Sequence, residues 1–418
     1  MNLFERWNNI IYLWASGILE IVPDSHRNRY SPKARKLKLR LIAKDLVADF
    51  LRIFRNTKFE KSQVWFLALT QNNYVALKDI QERIPGSVFV SFFRFRSTIN
   101  SGTLYFNLPL KFFYHLIYPF ALFLYSLKNR QRAIEHYDLL LAVNGSYEEC
   151  LRLLKKSRPK AILFSNDHLI IARAMLLAAK KLSIKTYYVQ HASVSEYFPP
   201  LEFSYAFLEG EDALVKYKKC GQIDSEVILV GMPKFDKYIN HVNNNEKLTT
   251  VGIPFNLLDD LEVINKLVEW LKAEYPNLEV IIRPHPGDQR DLSQFASYSL
   301  SDPSRENAFQ FLARTDGIIC ADSSIHLEAA LLNVYPLYYN FERGEALDYY
   351  GYVRNGLVDF CKNIDELKLK IAQLRLAKPD IRNRAAFYNA AVNSDFYGQS
   401  TNKIVDMVFE TINQVDEK

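Results

Sequence analysis

The sequence predicts an α/β protein built on two doubly wound parallel sheets. Three observations support this. Short apolar runs alternate with helical stretches over most of the chain, the pattern of parallel strands joined by crossover helices. The alternation occurs twice, before and after a polar, asparagine-rich segment at 241–247. The chain has 418 residues, 49% apolar and 24% charged, enough for two domains with separate cores.

The first series has strands at 64–69, 88–95, 139–143, 161–165, 186–190, 205–208 and 227–230. Helices at 147–156, 169–182 and 211–219 separate the later ones. The second series runs strand 249–253, helix 259–273, strand 280–282, helix 305–313, strand 317–320, helix 325–332 and strand 335–339. Helices at 363–375 and 399–414 close the chain. The expected organisation is a basic, amphipathic helical region at 1–60, a Rossmann-like domain at 61–240 and a second at 248–375. Terminal helices at 376–418 would cross back to the first domain. Two such domains are expected to face each other across a cleft, with ligands at the carboxyl ends of the strands.

Charge is unevenly spread. Residues 1–135 hold 21 lysines and arginines against 9 acids, and the remainder 32 against 38. The densest run is Arg27, Arg29, Lys33, Arg35, Lys36, Lys38, Arg40 and Lys44, the last six on a helix expected at 33–56. Such a run suits an anionic membrane surface or anionic acceptor, and equally a solvated helix face. Nucleic acid is not expected, because no binding module is recognisable. Phe112 to Leu127 is the most apolar stretch, yet it is too short to span a bilayer, for which about 20 residues are needed. It reads as a buried or membrane-contacting helix. Ile10 to Val22 is apolar but short and has no evident cleavage site, so a signal peptide is not expected. Cys150, Cys220, Cys320 and Cys361 are far apart, which argues against a zinc ribbon or disulfide framework and fits a reducing compartment.

Two motifs carry chemistry. Ile281-Ile282-Arg283-Pro284-His285-Pro286-Gly287-Asp288 follows a buried strand. The prolines end the strand, so Arg283 and His285 project from its carboxyl end, where guanidinium and imidazole suit a phosphate. Cys320-Ala321-Asp322-Ser323-Ser324-Ile325-His326-Leu327-Glu328 follows the next buried strand and opens a helix. Ser323 and Ser324 sit where hydroxyls and backbone N–H groups can meet an anion, and Glu328 lies one turn on, in reach of ribose hydroxyls. The plainer reading is a helix cap. In the first domain, His191 ends a strand, and an imidazole there can act as a base near neutral pH. Glu211 and Asp212 open a helix, where the dipole favours acids. Asn166-Asp167-His168 ends another strand and reads as an acceptor-binding loop or as a helix cap. Gly231-Met232-Pro233-Lys234-Phe235-Asp236 ends the last strand of the first domain, with Gly231 serving the turn.

The succession IIRPHPGD, then DGIICADSSIHLEAALLNVYPLYY, resembles the nucleotide-binding half of GT-B enzymes of bacterial surface-polysaccharide synthesis. By motif it is similar to the CDP-glycerol glycerophosphotransferase, capsule Kdo-transferase and polysialyltransferase groups, over about residues 160–360. The UDP-N-acetylglucosamine 2-epimerases share the HP loop but carry two glycines where this chain has Ser323 and Ser324. The resemblance implies that His285, Ser323 and Ser324 contact donor phosphate and that Glu328 holds ribose. It implies His191 as base on the glycerophosphotransferase pattern, with Ala192 in place of a glycine. On the polysialyltransferase pattern the base would be acidic, and Glu209-Gly210-Glu211-Asp212 is a scrambled echo of that motif.

The expected function is a glycosyltransferase that moves a sugar from a nucleotide-activated donor, CMP- or CDP-linked, to a saccharide or lipid-linked acceptor. It would work without a metal ion or other cofactor, since no DxD triplet is found in a metal-binding context, and at the inner face of the cytoplasmic membrane. The alternatives are an epimerase on the same scaffold and a non-catalytic nucleotide-binding assembly protein.

Overall fold

The computed structural model describes all residues except 22–23, 56–61, 94–102, 342–345, 347 and 414–418. The ends of four expected segments, at Val22, Asn56, Arg94–Phe95 and Gln414, lie outside the described residues. The chain forms two compact units, residues 1–229 with 401–418, and residues 230–400.

The first unit is built on a parallel sheet of β1 (Val64–Leu67), β2 (Ser87–Ser91), β3 (Leu104–Tyr105), β4 (Ala161–Phe164), β5 (Lys185–Val189), β6 (Tyr205–Leu208) and β7 (Glu226–Leu229). Their order is β3-β2-β1-β4-β5-β6-β7. β1 and β4 are buried along their whole length, as strands covered on both faces must be. The chain runs outward from β1 to β3, then returns to lay β4 beside β1. That reversal is a topological switch point, and it collects the loops after β1, β4, β5 and β6 along one edge.

The second unit repeats the plan with β8 (Thr250–Pro254), β9 (Glu279–Arg283), β10 (Ser299–Leu300), β11 (Gly317–Cys320), β12 (Tyr335–Tyr339) and β13 (Asp359–Cys361). The order is β10-β9-β8-β11-β12-β13, again all parallel. Gly252 in β8 lets the sheet approach its cover, since a Cβ there would lie 2.6 Å from the Phe311 ring.

Several expectations need correction. Residues 139–143 are not a strand but the end of a helix, Arg130–Val143. The run Leu139-Leu140-Leu141-Ala142 is made of good helix formers, and only Val143 is β-branched. Residues 1–60 are not a separate region. Trp7, Ile10, Ile11, Leu13 and Trp14 belong to the core of the first unit, and the Leu3–Ile10 helix packs on the Ile170–Lys181 helix. Segment 241–247 is not the boundary, which falls at Leu229/Val230. Gly231 marks it, with φ +83° and neighbours that leave no room for a Cβ: Ala391 Cβ would be 2.6 Å away. Only the last helix, Ser400–Asn413, belongs mainly to the first unit, while residues 376–400 belong to the second.

Phe112 to Leu127 divides into two short helices, Lys111–Tyr114 and Tyr118–Ser126. Pro119 sits in the first turn of the latter, where its missing N–H costs nothing. Among the described residues, no helix is long and apolar enough to cross a membrane. The basic run is divided between the Asp24–Tyr30 helix, with Arg27 and Arg29, and the Arg35–Arg52 helix, with Lys33 between them; Lys38 turns inward and pairs with buried Asp138 at 2.9 Å. Lys111 is also buried, 3.0 Å from Asp49.

Asp49 is the hub of a buried cluster. It accepts from His115 Nε2 at 2.9 Å, from Lys111 and from Arg52. Burial works to raise its pKa, but the hydrogen bond from His115 and the charges of Lys111 and Arg52 outweigh it and hold the carboxyl at about 2. The folded group therefore titrates below the unfolded one. Its stabilisation is complete above the unfolded pKa of about 4 and is lost as pH falls toward 2. The drop from 3.8 to about 2 corresponds to roughly 2 kcal/mol. Asp49→Asn is expected to destabilise the protein by about 3 kcal/mol at neutral pH, because it strands the Lys111 charge. The difference from wild type should shrink between pH 4 and 2. Urea unfolding across that range checks it, and a constant difference would contradict the assignment.

Candidate functional site

In the second unit, β9 and β11 lie on either side of β8. Adjacent strands are about 4.8 Å apart, so the carboxyl ends of β9 and β11 stand roughly 10 Å from each other. The two motif loops therefore emerge side by side on the ligand-facing edge.

His285 is exposed at the tip of the first loop. Its Nδ1 accepts the Gly287 N–H at 3.0 Å. That bond fixes the tautomer and leaves Nε2–H as a hydrogen-bond donor, the form a phosphate oxygen needs. Arg283 is placed differently from the expectation. It is buried, donates to Ser301 Oγ at 2.5 Å and to the Glu306 carbonyl at 3.1 Å, and lies 5.3 Å from the Phe311 ring centroid. Burial pushes its pKa down, against the raising charges of Glu306 and Glu328. The guanidinium thus ties the 301–306 segment to the end of β9.

Ser323 and Ser324 precede the Ile325–Leu331 helix. Ser324 has helical φ/ψ of −63° and −19° and makes no side-chain cap. A cap needs extended backbone at that position, so the capping reading fails for Ser324. Its side chain instead hydrogen-bonds Tyr350, whose pKa is raised to about 12 by burial and by the nearby Asp322 charge. Asp322 accepts the Tyr349 backbone N–H at 2.5 Å, which closes the 349–350 segment over this loop. Glu328 is buried and accepts from Lys234 Nζ at 2.5 Å. Cys320 and His326 are fully buried against each other, Sγ to Nε2 3.2 Å. Burial raises the Cys320 thiol pKa well above its ordinary value, so it is no nucleophile.

In the first unit, the candidate residues line the carboxyl edge of β1, β4, β5 and β6. His191 follows β5 and is half-buried, with Nε2 3.4 Å from Asn73 Nδ2. Asn73 Oδ1 accepts the Leu69 and Thr70 N–H groups, each at 3.2 Å, which turns its amide nitrogen toward His191. The neighbouring strand end, after β4, carries Asp167 and His168. His168 Nδ1 lies 2.8 Å from Asp167 Oδ1, and the Tyr217 hydroxyl donates to Asp167 Oδ2 at 2.6 Å. Burial acts to raise the Asp167 pKa, but the bonds from His168 and Tyr217 outweigh it and hold it below the usual range. A buried carboxylate thus orients an imidazole whose ring rests on Phe198, centroids 4.6 Å apart. Asn166 Oδ1 closes the turn before the Ile170–Lys181 helix, accepting from the His168 and Leu169 N–H groups at 3.2 and 2.7 Å. The helix-cap reading thus fails for both: the helix has Leu169 at its N-cap and no side-chain cap, Asn166 holds the turn, and Asp167 serves His168. Glu211 is half-buried in the first turn of the Glu211–Cys220 helix, and Asp212 pairs with Lys216 at 2.7 Å. His191 and Glu211 therefore stand at different strand ends.

Known structures share the fold. The chain is similar to S. aureus MnaA in its UDP co-structure, with 13% identity, a TM-score of 0.52, and 84% of this chain and 97% of that one covered. It is similar to the UDP-GlcNAc 2-epimerase of Neisseria meningitidis bound to UDP-GlcNAc, with 14% identity, a TM-score of 0.51, and 83% and 99% covered. It is also similar to the wall teichoic acid polymerase TagF, with 11% identity, a TM-score of 0.50, and 94% and 98% covered. No family model matches the sequence, and no curated relative does.

The fold is GT-B. At these identities the likeness speaks for the fold alone, and the GT-B scaffold carries both transferases and epimerases.

Sequence reading missed three participants. Lys234 was seen only as part of a turn, because its partner Glu328 is 94 residues away. Tyr350 belongs to no motif. A cavity of about 200 Å³ lies by the ends of β2 and β3, lined by Phe92, Phe93, Phe106, Ile170, Asp49 and Lys111. Its residues come from five segments, which no local pattern announces.

His326 gives a prediction within the second motif. Burial holds its pKa at about 4, so it stays neutral when folded, whereas the unfolded residue titrates at 6.5. Between those values the unfolded chain binds the proton and the folded one does not. Stability is therefore complete above pH 6.5 and falls by roughly 3 kcal/mol on acidification to pH 4. His326→Gln should flatten that slope in thermal melts between pH 7 and 4. An unchanged slope would show that other groups cause it.

Proposed function

We propose that the protein is a glycosyltransferase of bacterial surface-polysaccharide synthesis, capsule or lipopolysaccharide. It takes a sugar from a CMP- or CDP-linked donor and gives it to a saccharide or lipid-linked acceptor at the inner face of the cytoplasmic membrane. The observation that carries this reading is the pair of loops flanking β8. One offers an exposed imidazole held as an N–H donor at His285. The other offers Ser324, which is not consumed in capping, beside Ser323, whose Oγ accepts the Ile325 N–H at 3.5 Å.

The chemistry follows from these groups. The acceptor hydroxyl attacks the anomeric carbon, and the bond from that carbon to the phosphate oxygen breaks. Charge then builds on the departing nucleotide phosphate. His285 Nε2–H and the Ser323 and Ser324 hydroxyls meet it, as donors aimed at developing charge do. Glu328 holds the ribose, with Lys234 orienting its carboxylate. No metal ion is invoked. The first unit supplies the base that takes the acceptor proton, His191 with Glu211 as the acidic alternative, and Asp167 with His168 binds the acceptor. The serine pair in place of two glycines weakens the epimerase reading. Formation of an epimer from a UDP-N-acetylhexosamine without acceptor would overturn it.

A thermal-shift panel of CMP, CDP, UDP, GDP and their sugars tests the donor half. A ligand at 100 times its Kd should stabilise by about 2.7 kcal/mol. Ser323→Ala with Ser324→Ala should weaken donor affinity by roughly 1–3 kcal/mol. No shift with any nucleotide, or unchanged affinity in the double variant, would remove the donor assignment. Full transfer activity in His285→Ala would do the same.

The base is assigned by rate. His191→Ala should lower turnover by about 10²–10⁴ with donor affinity retained. The same loss in Glu211→Ala, with His191→Ala active, would pass the role to the acidic residue.

A further inference from the structure

The Tyr118–Ser126 helix is apolar on every face, yet only one face is covered. Tyr118, Ala121 and Tyr125 pack inward. On the other side, Leu116 is 72% exposed, Phe120 67%, Phe123 59% and Leu127 67%. Phe120, Phe123 and Leu127 follow helical spacing and form one stripe, with Leu116 exposed in the turn before it. A helix apolar all round is ordinarily buried or in contact with lipid. Such a stripe on a water-facing surface is well beyond scattered exposed residues.

The stripe continues onto the Arg35–Arg52 helix. Phe112 and Phe113 have ring centroids 6.0 Å apart, Phe50 is 5.4 Å from Phe112, and Phe54 is 5.5 Å from Phe50. The outer line of that helix changes character along its length. Toward its carboxyl end it exposes Val47 and Leu51, and toward its amino end Lys36, Arg40 and Lys44. Lys128 and Arg130, beyond the other end of the stripe, are exposed as well. The inward-turned Lys38 and Lys111 are neutralised by Asp138 and Asp49. The exposed cations therefore flank the apolar face on two sides.

We propose that this face of the first unit docks on an anionic lipid bilayer. The Tyr118–Ser126 helix lies in the interfacial plane, with Phe120 and Phe123 in the acyl region and Lys36, Arg40 and Lys44 against the headgroups. Charge chooses the occupant. A second copy of this chain would bring the same cations face to face across a two-fold axis, whereas an anionic leaflet meets apolar face and cations together. The proposal deepens the membrane part of the function above and does not depend on its donor half.

The test uses the full chain and vesicles of phosphatidylcholine alone or mixed with phosphatidylglycerol. The protein should sediment with the mixed vesicles, and less so at high salt. Phe120→Asp with Phe123→Asp should weaken that binding by about 10-fold or more. Its melting temperature, and any nucleotide-induced shift, should match wild type. Lys36→Glu, Arg40→Glu and Lys44→Glu together should abolish the preference for the anionic lipid. Should the aspartates impair folding, Phe120→Trp gives a second measurement: its fluorescence should shift to the blue on mixed vesicles and be quenched by brominated acyl chains. Wild type left in the supernatant, an aspartate variant that binds as wild type, an unshifted emission from the Phe120→Trp variant, or a wild-type dimer that the aspartates split would each overturn the proposal. A missing nucleotide shift beside normal vesicle binding would count against the donor reading alone.

Discussion

The proposed donor site depends on one constraint, the position of β8 between β9 and β11. Parallel strands carry all their carboxyl ends to one edge. Had β11 joined at the far side of β10, the His285 loop and the Ser323–Ser324 loop would stand at different distances and in a different order. Gly252 protects the arrangement, because a side chain there would meet the Phe311 ring, the same ring that backs the Arg283 guanidinium. Sheet order, a glycine and a buried arginine therefore act on one geometry. The loops are presented by strands rather than by their own rigidity.

The first unit uses buried charge for a similar end. Arg173 is fully buried in the helix that follows β4, and its guanidinium reaches Asn9 Oδ1, with Nε at 3.1 Å, and also Glu202. An uncompensated guanidinium there would cost several kcal/mol, so the amino-terminal helix is bound to the sheet by more than apolar contact. The Asp49 cluster does the same for the Arg35–Arg52 helix. That helix faces two ways: Asp45, Asp49 and Arg52 border the cavity by the ends of β2 and β3, while Phe50 and Leu51 lie on the outer apolar face. A shift of the helix would move both surfaces together.

The sequence made the strands and the two motif loops legible because both are local. Val64–Leu67, Ala161–Phe164 and Gly317–Cys320 lie in short apolar runs that begin after a polar residue, and they are strands. The error at 139–143 has the same origin, since a short leucine run reads alike in a strand and in a buried helix end. Short edge elements such as Leu104–Tyr105, Ser299–Leu300 and Asp359–Cys361 give too few residues for a period to show. What remained hidden was tertiary. Nothing near Arg283 announces that Ser301 and Glu306 will take its donors, and nothing near Lys38 announces Asp138. Residue type gave the chemistry of these positions, and only the fold decided whether that chemistry turned inward or outward.

The serine pair shows why that distinction matters for function. A hydroxyl at a helix start has two uses, and the backbone chooses between them. Extended φ/ψ turns the side chain back onto the helix N–H groups, as at Asn307, whose side chain accepts from Gln310 N at 3.0 Å. Ser324 already has helical φ/ψ, so its hydroxyl is carried forward, away from those groups and onto Tyr350. A tyrosine hydroxyl bond is exchangeable for a stronger acceptor, and a phosphate oxygen is one. His285 is prepared in the complementary sense, with one ring nitrogen committed to Gly287 so that the other must donate. Two loops from two strands thus arrive with their donors unspent on the helix or the turn that formed them. That is the preorganisation an anion site requires, since donors already oriented need not be reordered when the charge develops.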